Sequence, residues 1–185
     1  MHVKKAVIFC GMPGSGKSIG ADVGKDLGIQ VFVMGDIVRE EVTRLKLPHT
    51  PQSLAQVMLD LRNQFGPSVV ADRCIAKFSD MTVLNLIIDG VRSEAELTAF
   101  KQAIEQVTVV AVHASPKMRF TRLQNRRRAD DALTLALFHE RDARELDVGL
   151  GRVIAQADIM IVNEGDFNQI QTQVRNILKA EFNLD

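Results

Sequence analysis

The sequence predicts a three-layer α/β domain built on a five-stranded parallel sheet. Three observations carry that prediction. Five short apolar segments rich in β-branched residues alternate with helix-period segments along the chain. The third of them, residues 83–89, is almost continuously apolar, as parallel strands buried on both faces are. The first, residues 5–10, runs into Gly11-Met12-Pro13-Gly14-Ser15-Gly16-Lys17-Ser18 and then into a helix. That loop matches G-x-x-x-x-G-K-[ST], and the strand before it and the helix after it are the context a phosphate-cradling loop requires.

The chemistry of such a loop explains its spacing. Several backbone N–H groups must converge on one polyphosphate, and a helix N-terminus adds further donors. Glycines 11, 14 and 16 permit close backbone approach. Lys17 is placed to reach the β- and γ-phosphates, and Ser18 to ligate magnesium. The expected cofactors are therefore ATP and Mg2+.

Composition bounds the alternatives. A chain of 185 residues, 46% of them hydrophobic, suffices for one large core or a core with an insertion. Formal net charge is zero, which announces no nucleic-acid partner. Two cysteines, Cys10 and Cys74, with no partners at metal-ligand spacing, fit a reducing cytoplasm. The N-terminus enters a strand without a signal-peptide pattern, and no apolar run reaches membrane-span length. Trp and Tyr are absent, so base stacking would fall to Phe, His, Arg or aliphatic side chains.

After the first helix, residues 29–34 read as the second strand, ending at Gly35-Asp36 before a helix over 37–46. Asp36 is either a helix cap or, with Arg39 three residues on, half of an acceptor-binding pair. Thr50-Pro51 starts a helix to Phe65, Gly66-Pro67 breaks it, and another follows over 68–78. These roughly forty residues exceed a plain crossover and predict an inserted helical lobe, residues 36–80, for the acceptor. Arg62 and Arg73 are expected at the solvent, with an acceptor cleft as the alternative.

The third strand ends in Asp89, where ligands bind in open α/β sheets. Asp89 is the candidate magnesium carboxylate, against the plainer reading of a turn acid before Gly90. Arg92 leaves the same sheet edge and is the preferred acceptor-phosphate clamp. Ser93 is expected to cap the next helix, with Glu96 completing a capping box. Residues 107–113 form the fourth strand, and Ser115-Pro116 begins a helix to about Arg126.

Arg119, Arg122, Arg126, Arg127 and Arg128 fall within ten residues, followed by Asp130 and Asp131. A solvated basic face is the plain reading. A nucleic-acid patch lacks aromatic interleaving. A phosphate-covering lid over residues 119–145 is favoured, since a migrating phosphoryl group calls for guanidinium forks and exclusion of water. The helix over 133–146 extends it with Arg141 and Arg144, and residues 147–154 read as a connector. Residues 157–162 form the fifth strand, ending in Asn163-Glu164-Gly165, either an adenine-side loop or a plain turn. An amphipathic helix over 166–182 closes the chain.

The whole chain resembles nucleotide-kinase-type P-loop proteins. More closely, it is similar to an uncharacterised archaeal P-loop family related to adenylate kinase and dephospho-coenzyme A kinase. Beside the loop, Met34-Gly35-Asp36, Val38-Arg39-Glu40-Glu41-Val42, Val112-His113-Ala114-Ser115-Pro116, Arg141-Asp142-Ala143-Arg144-Glu145 and Ile161-Val162-Asn163-Glu164-Gly165 carry the closer match. The resemblance implies a P-loop NTPase fold of the nucleoside-monophosphate-kinase type, sheet order 2-3-1-4-5, and a short lid. It implies acceptor contacts by Asp36 and Arg39. Asp89-Gly90-Val91-Arg92 resembles the adenylate-kinase Asp-Gly-x-x-Arg stretch, shortened by one residue. Arg122, Arg126, Arg128, Asp130, Asp131 and Arg141 look like the arginine and paired-acid pattern of short-lid kinases. Asn163 and Gly165 resemble the adenine-side loop of dephospho-coenzyme A kinases.

The expected activity is ATP- and Mg-dependent phosphoryl transfer to a nucleotide-like small molecule, either a nucleoside monophosphate or a dephospho-coenzyme A type acceptor. Lys17, Arg92, Arg122, Arg128 and Arg141 are its catalytic candidates, and Asp36 is the candidate base for a hydroxyl acceptor. The alternative is a P-loop ATPase or ATP-dependent switch acting on a protein or RNA. No nucleic-acid or membrane partner is expected for the kinase, as monomer or homodimer.

Overall fold

A computed structural model of the chain describes residues 3–79, 81, 83–126 and 134–184. The strands are β1 (Lys5–Cys10), β2 (Gln30–Val33), β3 (Asn85–Asp89), β4 (Gln106–His113) and β5 (Ile159–Val162). All pair in parallel, in the order β2-β3-β1-β4-β5. The expected fold class and sheet order are thus observed. Parallel pairing demands crossovers, and helices supply them on both faces.

The alternation along β1 sorts the two faces. Val7 and Phe9 point to the layer formed by α1 (Ser18–Asp26) and α9 (Phe167–Phe182), where Ile19, Val23, Ile170, Val174 and Leu178 are buried. Ala6, Ile8 and Cys10 point to the other layer. There α2 (Met34–Arg44), α3 (Pro51–Phe65) and α4 (Val69–Ser79) pack beside α5 (Glu94–Ala103) and α8 (Leu150–Ala155). Val42, Met58, Leu61, Val70 and Cys74 of the helices between β2 and β3 join one continuous core with the sheet. These helices therefore form part of the second layer as well as a wall above the sheet edge.

Boundaries moved where pairing partners run out. Val33 pairs with Asp89, the last residue of β3, so Met34 has no strand to join and already belongs to α2. Asp36 consequently sits in the first turn of α2, and its N-cap is Val33. Thr50 caps α3 by accepting the Ser53 N–H at 3.2 Å, with Pro51 at the first helical position, as expected. The connector expected over 147–154 is mostly helix. Residues to Val148 continue α7 (Leu135–Val148), Gly149 caps it with φ +110°, and α8 buries Leu150 and Val153.

The helix α6 (Pro116–Arg126) packs on α7 through a separate small cluster of Phe120, Leu123 and Phe138. Arg128, Asp130 and Asp131 of the expected lid lie outside the described residues. No helix among the described residues is long and apolar enough to cross a membrane.

Candidate active site

Strands β1, β2 and β3 end level with one another: Phe9 pairs with Asp89, and Asp89 with Val33. The loop after β1, the start of α2 and Asp89 therefore meet at one edge. The Gly90 N–H donates to the Phe9 carbonyl at 2.9 Å, fixing β3's exit beside the loop.

The loop is held from behind. Arg119 Nη1 donates to the Pro13 carbonyl at 3.1 Å. Asn163 Nδ2 donates to the Ser15 carbonyl at 2.8 Å, and Arg122 Nη1 donates to the same oxygen at 3.4 Å. A trans peptide sets its N–H opposite its C=O. With those two carbonyls turned toward the scaffold, the N–H groups of Gly14 and Gly16 face the opposite way, away from Arg119 and Asn163. Gly14 has φ +81°, and a Cβ there would come within 2.6 Å of the Arg119 carbonyl. Gly16 has φ +96°, and a Cβ there would meet Asn163 Nδ2 at 2.3 Å. Both positions need glycine for conformation and for space. Ser15 is fully buried, Met12 packs on the main core, and Ser18 opens α1.

Burial lowers the Lys17 pKa, and the nearby Asp89 carboxylate acts against that shift. The charges of Arg92, Glu145 and Arg141 also reach Lys17. Asp89 is only 7% exposed. Beside them opens a pocket between the sheet edge, the α2–α3 wall and α7. Arg39, Arg62, Arg92, Arg141 and Arg144 line it with Glu96 and Glu145, over an apolar floor that includes Leu54, Met58 and Val70.

Arg92 lies in the pocket, its Nη1 2.9 Å from Glu145 Oε1, while its backbone N–H donates to Glu96 Oε2 at 2.8 Å. Ser93 does cap α5, accepting the Glu96 N–H at 3.2 Å. Glu96, however, closes on the Arg92 N–H, one residue earlier than a capping box would. Arg39 lines the pocket, but Asp36 does not. The Asp36 side chain is 56% exposed and accepts from Arg39 Nε and Nη2 at 3.0 and 2.6 Å. Arg141 lines the pocket, and Arg126 is exposed at the end of α6.

Asn163 is 4% exposed. Its Oδ1 accepts from Arg122 at 3.1 Å while its Nδ2 holds Ser15. Its side chain is thus committed to the loop. The adjacent turn at Glu164 and Gly165 is exposed, with Glu164 accepting from the Ser115 N–H.

Arg119 does not sit on a solvated or lid face: it is 4% exposed, paired with Asp142 and stacked over Phe138 at 4.8 Å. Arg62 takes the cleft alternative: it lines the pocket, only 12% of its side chain is exposed, and Nη2 donates to Glu96 at 2.6 Å. Arg73 pairs with Glu41 at 3.0 Å and lies over Phe65. Asp142, Glu145 and Glu96 were missed as parts of the site. The run Arg141-Asp142-Ala143-Arg144-Glu145 interleaves acids and arginines at helical spacing, a signal that α7 turns charge inward.

A phosphate loop on the central strand, an acid ending the neighbouring strand and this sheet order define a P-loop fold of the kinase type. The chain belongs to the UPF0200 protein family, and its residues 10–135 match the AAA domain family. The UPF0200 protein of Pyrococcus furiosus is 41% identical over 180 residues, covering 95% of this chain and 97% of the relative. That of Staphylothermus marinus is 42% identical over 173 residues, covering 94% and 90%. Among solved structures, shikimate kinase from Bacteroides thetaiotaomicron superimposes with a TM-score of 0.61 at 14% identity, covering 97% of this chain and 98% of that one. The Acinetobacter baumannii shikimate kinase in complex with shikimate gives 0.59 at 13% identity, covering 98% and 94%. At such identities the likeness shows the fold.

Proposed function

We propose that the protein is an ATP- and magnesium-dependent phosphotransferase acting on a small anionic, nucleotide-like acceptor. One observation carries the reading. The arginine-lined pocket opens beside the phosphate loop, and its Arg92, Arg141 and Glu145 lie within electrostatic reach of Lys17. A nucleoside-triphosphate grip and an anion-binding cleft thus share one field, as transfer between two anions requires.

In this reading the Gly14 and Gly16 N–H groups and the α1 N-terminus bind the donor's phosphates, and Lys17 follows the migrating phosphoryl group. The residues at the edge fit magnesium. Ser18 and Asp89 offer hard oxygen donors from adjacent segments, and the described residues contain no cluster of three or more His, Cys, Asp or Glu. Magnesium retains waters and needs only one or two protein oxygens beside the phosphates, unlike a metal held by a protein cage. When bound it would neutralise charge on the phosphate oxygens. Arg39 and Arg92 line the acceptor pocket, Arg92 held by Glu145, and Arg141, with Arg128, offsets transition-state charge, while Arg122 braces the loop from behind. Gly165 belongs to the base side of the donor site. The helices between β2 and β3 form the acceptor wall, and Arg141, Arg144 and Glu145 of α7 face it across the pocket.

The test follows the fate of the γ-phosphoryl group. Protein, magnesium and γ-labelled ATP are incubated with nucleoside monophosphates, dephospho-coenzyme A, sugar phosphates and hydroxylated carboxylates. Label on an acceptor is the expected outcome. Label released only as inorganic phosphate across the panel would replace this reading with an ATPase.

A further inference from the structure

We infer that Glu145 is the group that receives the proton of an acceptor hydroxyl, so that the product is a phosphate monoester. The inference rests on the phosphotransferase reading above and narrows its acceptor.

Glu145 is 5% exposed and lines the pocket. Its Oε1 pairs with Arg92, while its Oε2 is buried and accepts no hydrogen bond from any described residue. A buried carboxylate oxygen without a donor is costly, and a ligand that supplies one removes that cost. Asp36, the base expected from the sequence for a hydroxyl acceptor, faces solvent outside the pocket, its Oδ1 accepting from Arg39 Nε and Nη2. Glu145 is therefore the carboxylate with an uncommitted oxygen at the pocket.

The donor that fits Oε2 is neutral. Oε1 already pairs with Arg92, and five arginines face two glutamates around the pocket, so an ammonium group placed there would meet an excess of cations. A hydroxyl adds no charge. The same pocket also holds Arg62, whose Nε and Nη1 are buried without acceptors among the described residues while Nη2 stays on Glu96. Those two N–H groups lie on opposite sides of the guanidinium, so an anionic group on the acceptor can take one of them while the Arg62–Glu96 pair stays intact. A phosphate acceptor seated on Arg92 would instead compete with Glu145 for it. The pocket's unmet bonds, two donors and one acceptor, thus describe a small hydroxylated anion.

The step balances as written. The hydroxyl oxygen bonds to the γ-phosphorus of the nucleoside triphosphate, and the bond from that phosphorus to the β,γ-bridging oxygen breaks. The bridging oxygen leaves with the electron pair on the nucleoside diphosphate, and the hydroxyl proton passes to Glu145 Oε2. Solvent takes that proton when the product leaves. In a loose phosphoryl-transfer transition state the proton leaves late, so a carboxylate suffices as base.

Phosphorus NMR of the product formed by wild-type protein, with the acceptor panel above, tests the linkage without any variant. A phosphate-monoester resonance is expected. A phosphoanhydride product, seen as coupled phosphorus signals, overturns this inference and leaves the kinase reading standing. Inorganic phosphate alone overturns both. On the acceptor so found, Glu145→Gln is expected to lower kcat about 100-fold, the scale of a lost general base, in protein that still binds ATP. An unchanged kcat in folded E145Q protein removes Glu145 from the role.

Discussion

Arg119 and Asp142 form a two-pronged ion pair, Nη1 to Oδ1 at 2.8 Å and Nη2 to Oδ2 at 2.5 Å, behind the phosphate loop. The same guanidinium holds the Pro13 carbonyl and covers the Phe138 ring. One buried cation thereby ties α6, α7 and the loop together. Removing one partner leaves an uncompensated buried charge. Asp142→Asn is expected to destabilise the fold by about 3 kcal/mol in urea denaturation. Arg144→Ala, which breaks the exposed pair with Glu140, is expected to change it by less than about 1 kcal/mol. Equal effects would remove the distinction between the two pairs.

Asn163 is expected to matter for nucleotide binding through the loop it supports. Asn163→Ala leaves the Ser15 carbonyl only its longer bond from Arg122, itself loosened, so the Gly16 N–H is less firmly directed. Loss of a buried hydrogen-bond partner costs about 1–3 kcal/mol, which here predicts roughly tenfold weaker ATP binding by calorimetry with a modest fall in melting temperature. Gly14→Ala is expected to do more, because its Cβ meets backbone.

Acid sensitivity should report Glu41. Hydrogen bonds from Arg44 first and Arg73 second, against an opposing effect of burial, bring its carboxyl from the ordinary 4.5 down to about 2. A depressed folded-state pKa means that its stabilisation is complete above the unfolded value and is lost as pH falls from about 4.5 toward 2. Melting temperatures across that window are expected to fall less steeply for Glu41→Gln than for the parent. Parallel curves would show that the pair contributes nothing to acid lability.

Both thiols should be inert in the folded protein. Burial pushes Cys10 and Cys74 up to about 12, and the thiolate is the reactive form. A disulfide reagent at pH 8 is expected to modify neither until denaturant is added, then both. Rapid labelling of native protein would contradict the packing of β1 and α4.

The sequence displayed what depends on local period and on short motifs. The five strands, the loop 11–18, the Thr50 and Ser93 caps and the Asp89 position are all readable within a few residues. The site's electrostatics depend on partners far apart in the chain. Glu96 lies 34 residues from Arg62, and Asp142 lies 23 from Arg119. No periodicity encodes such pairings, so Arg119 reads as a surface cation although it is buried, and Arg62 reads as either a surface or a cleft cation. Asn163 looked free to meet a base because its reach to Ser15, 148 residues earlier, is created only by the sheet bringing β1 and β5 to the same edge. Asp36 looked like a cleft acid until β2 ended one residue early and α2 turned it toward solvent.

The central claim is that residues 11–18 grip a nucleoside triphosphate through Lys17. Calorimetric titration of magnesium–ATP into wild-type and Lys17→Ala protein tests it most directly. The account predicts saturable binding by the wild type and at least about tenfold weaker binding by the variant, as loss of a charged hydrogen bond of about 1.5–3 kcal/mol requires. Equal affinity of the two folded proteins would contradict it.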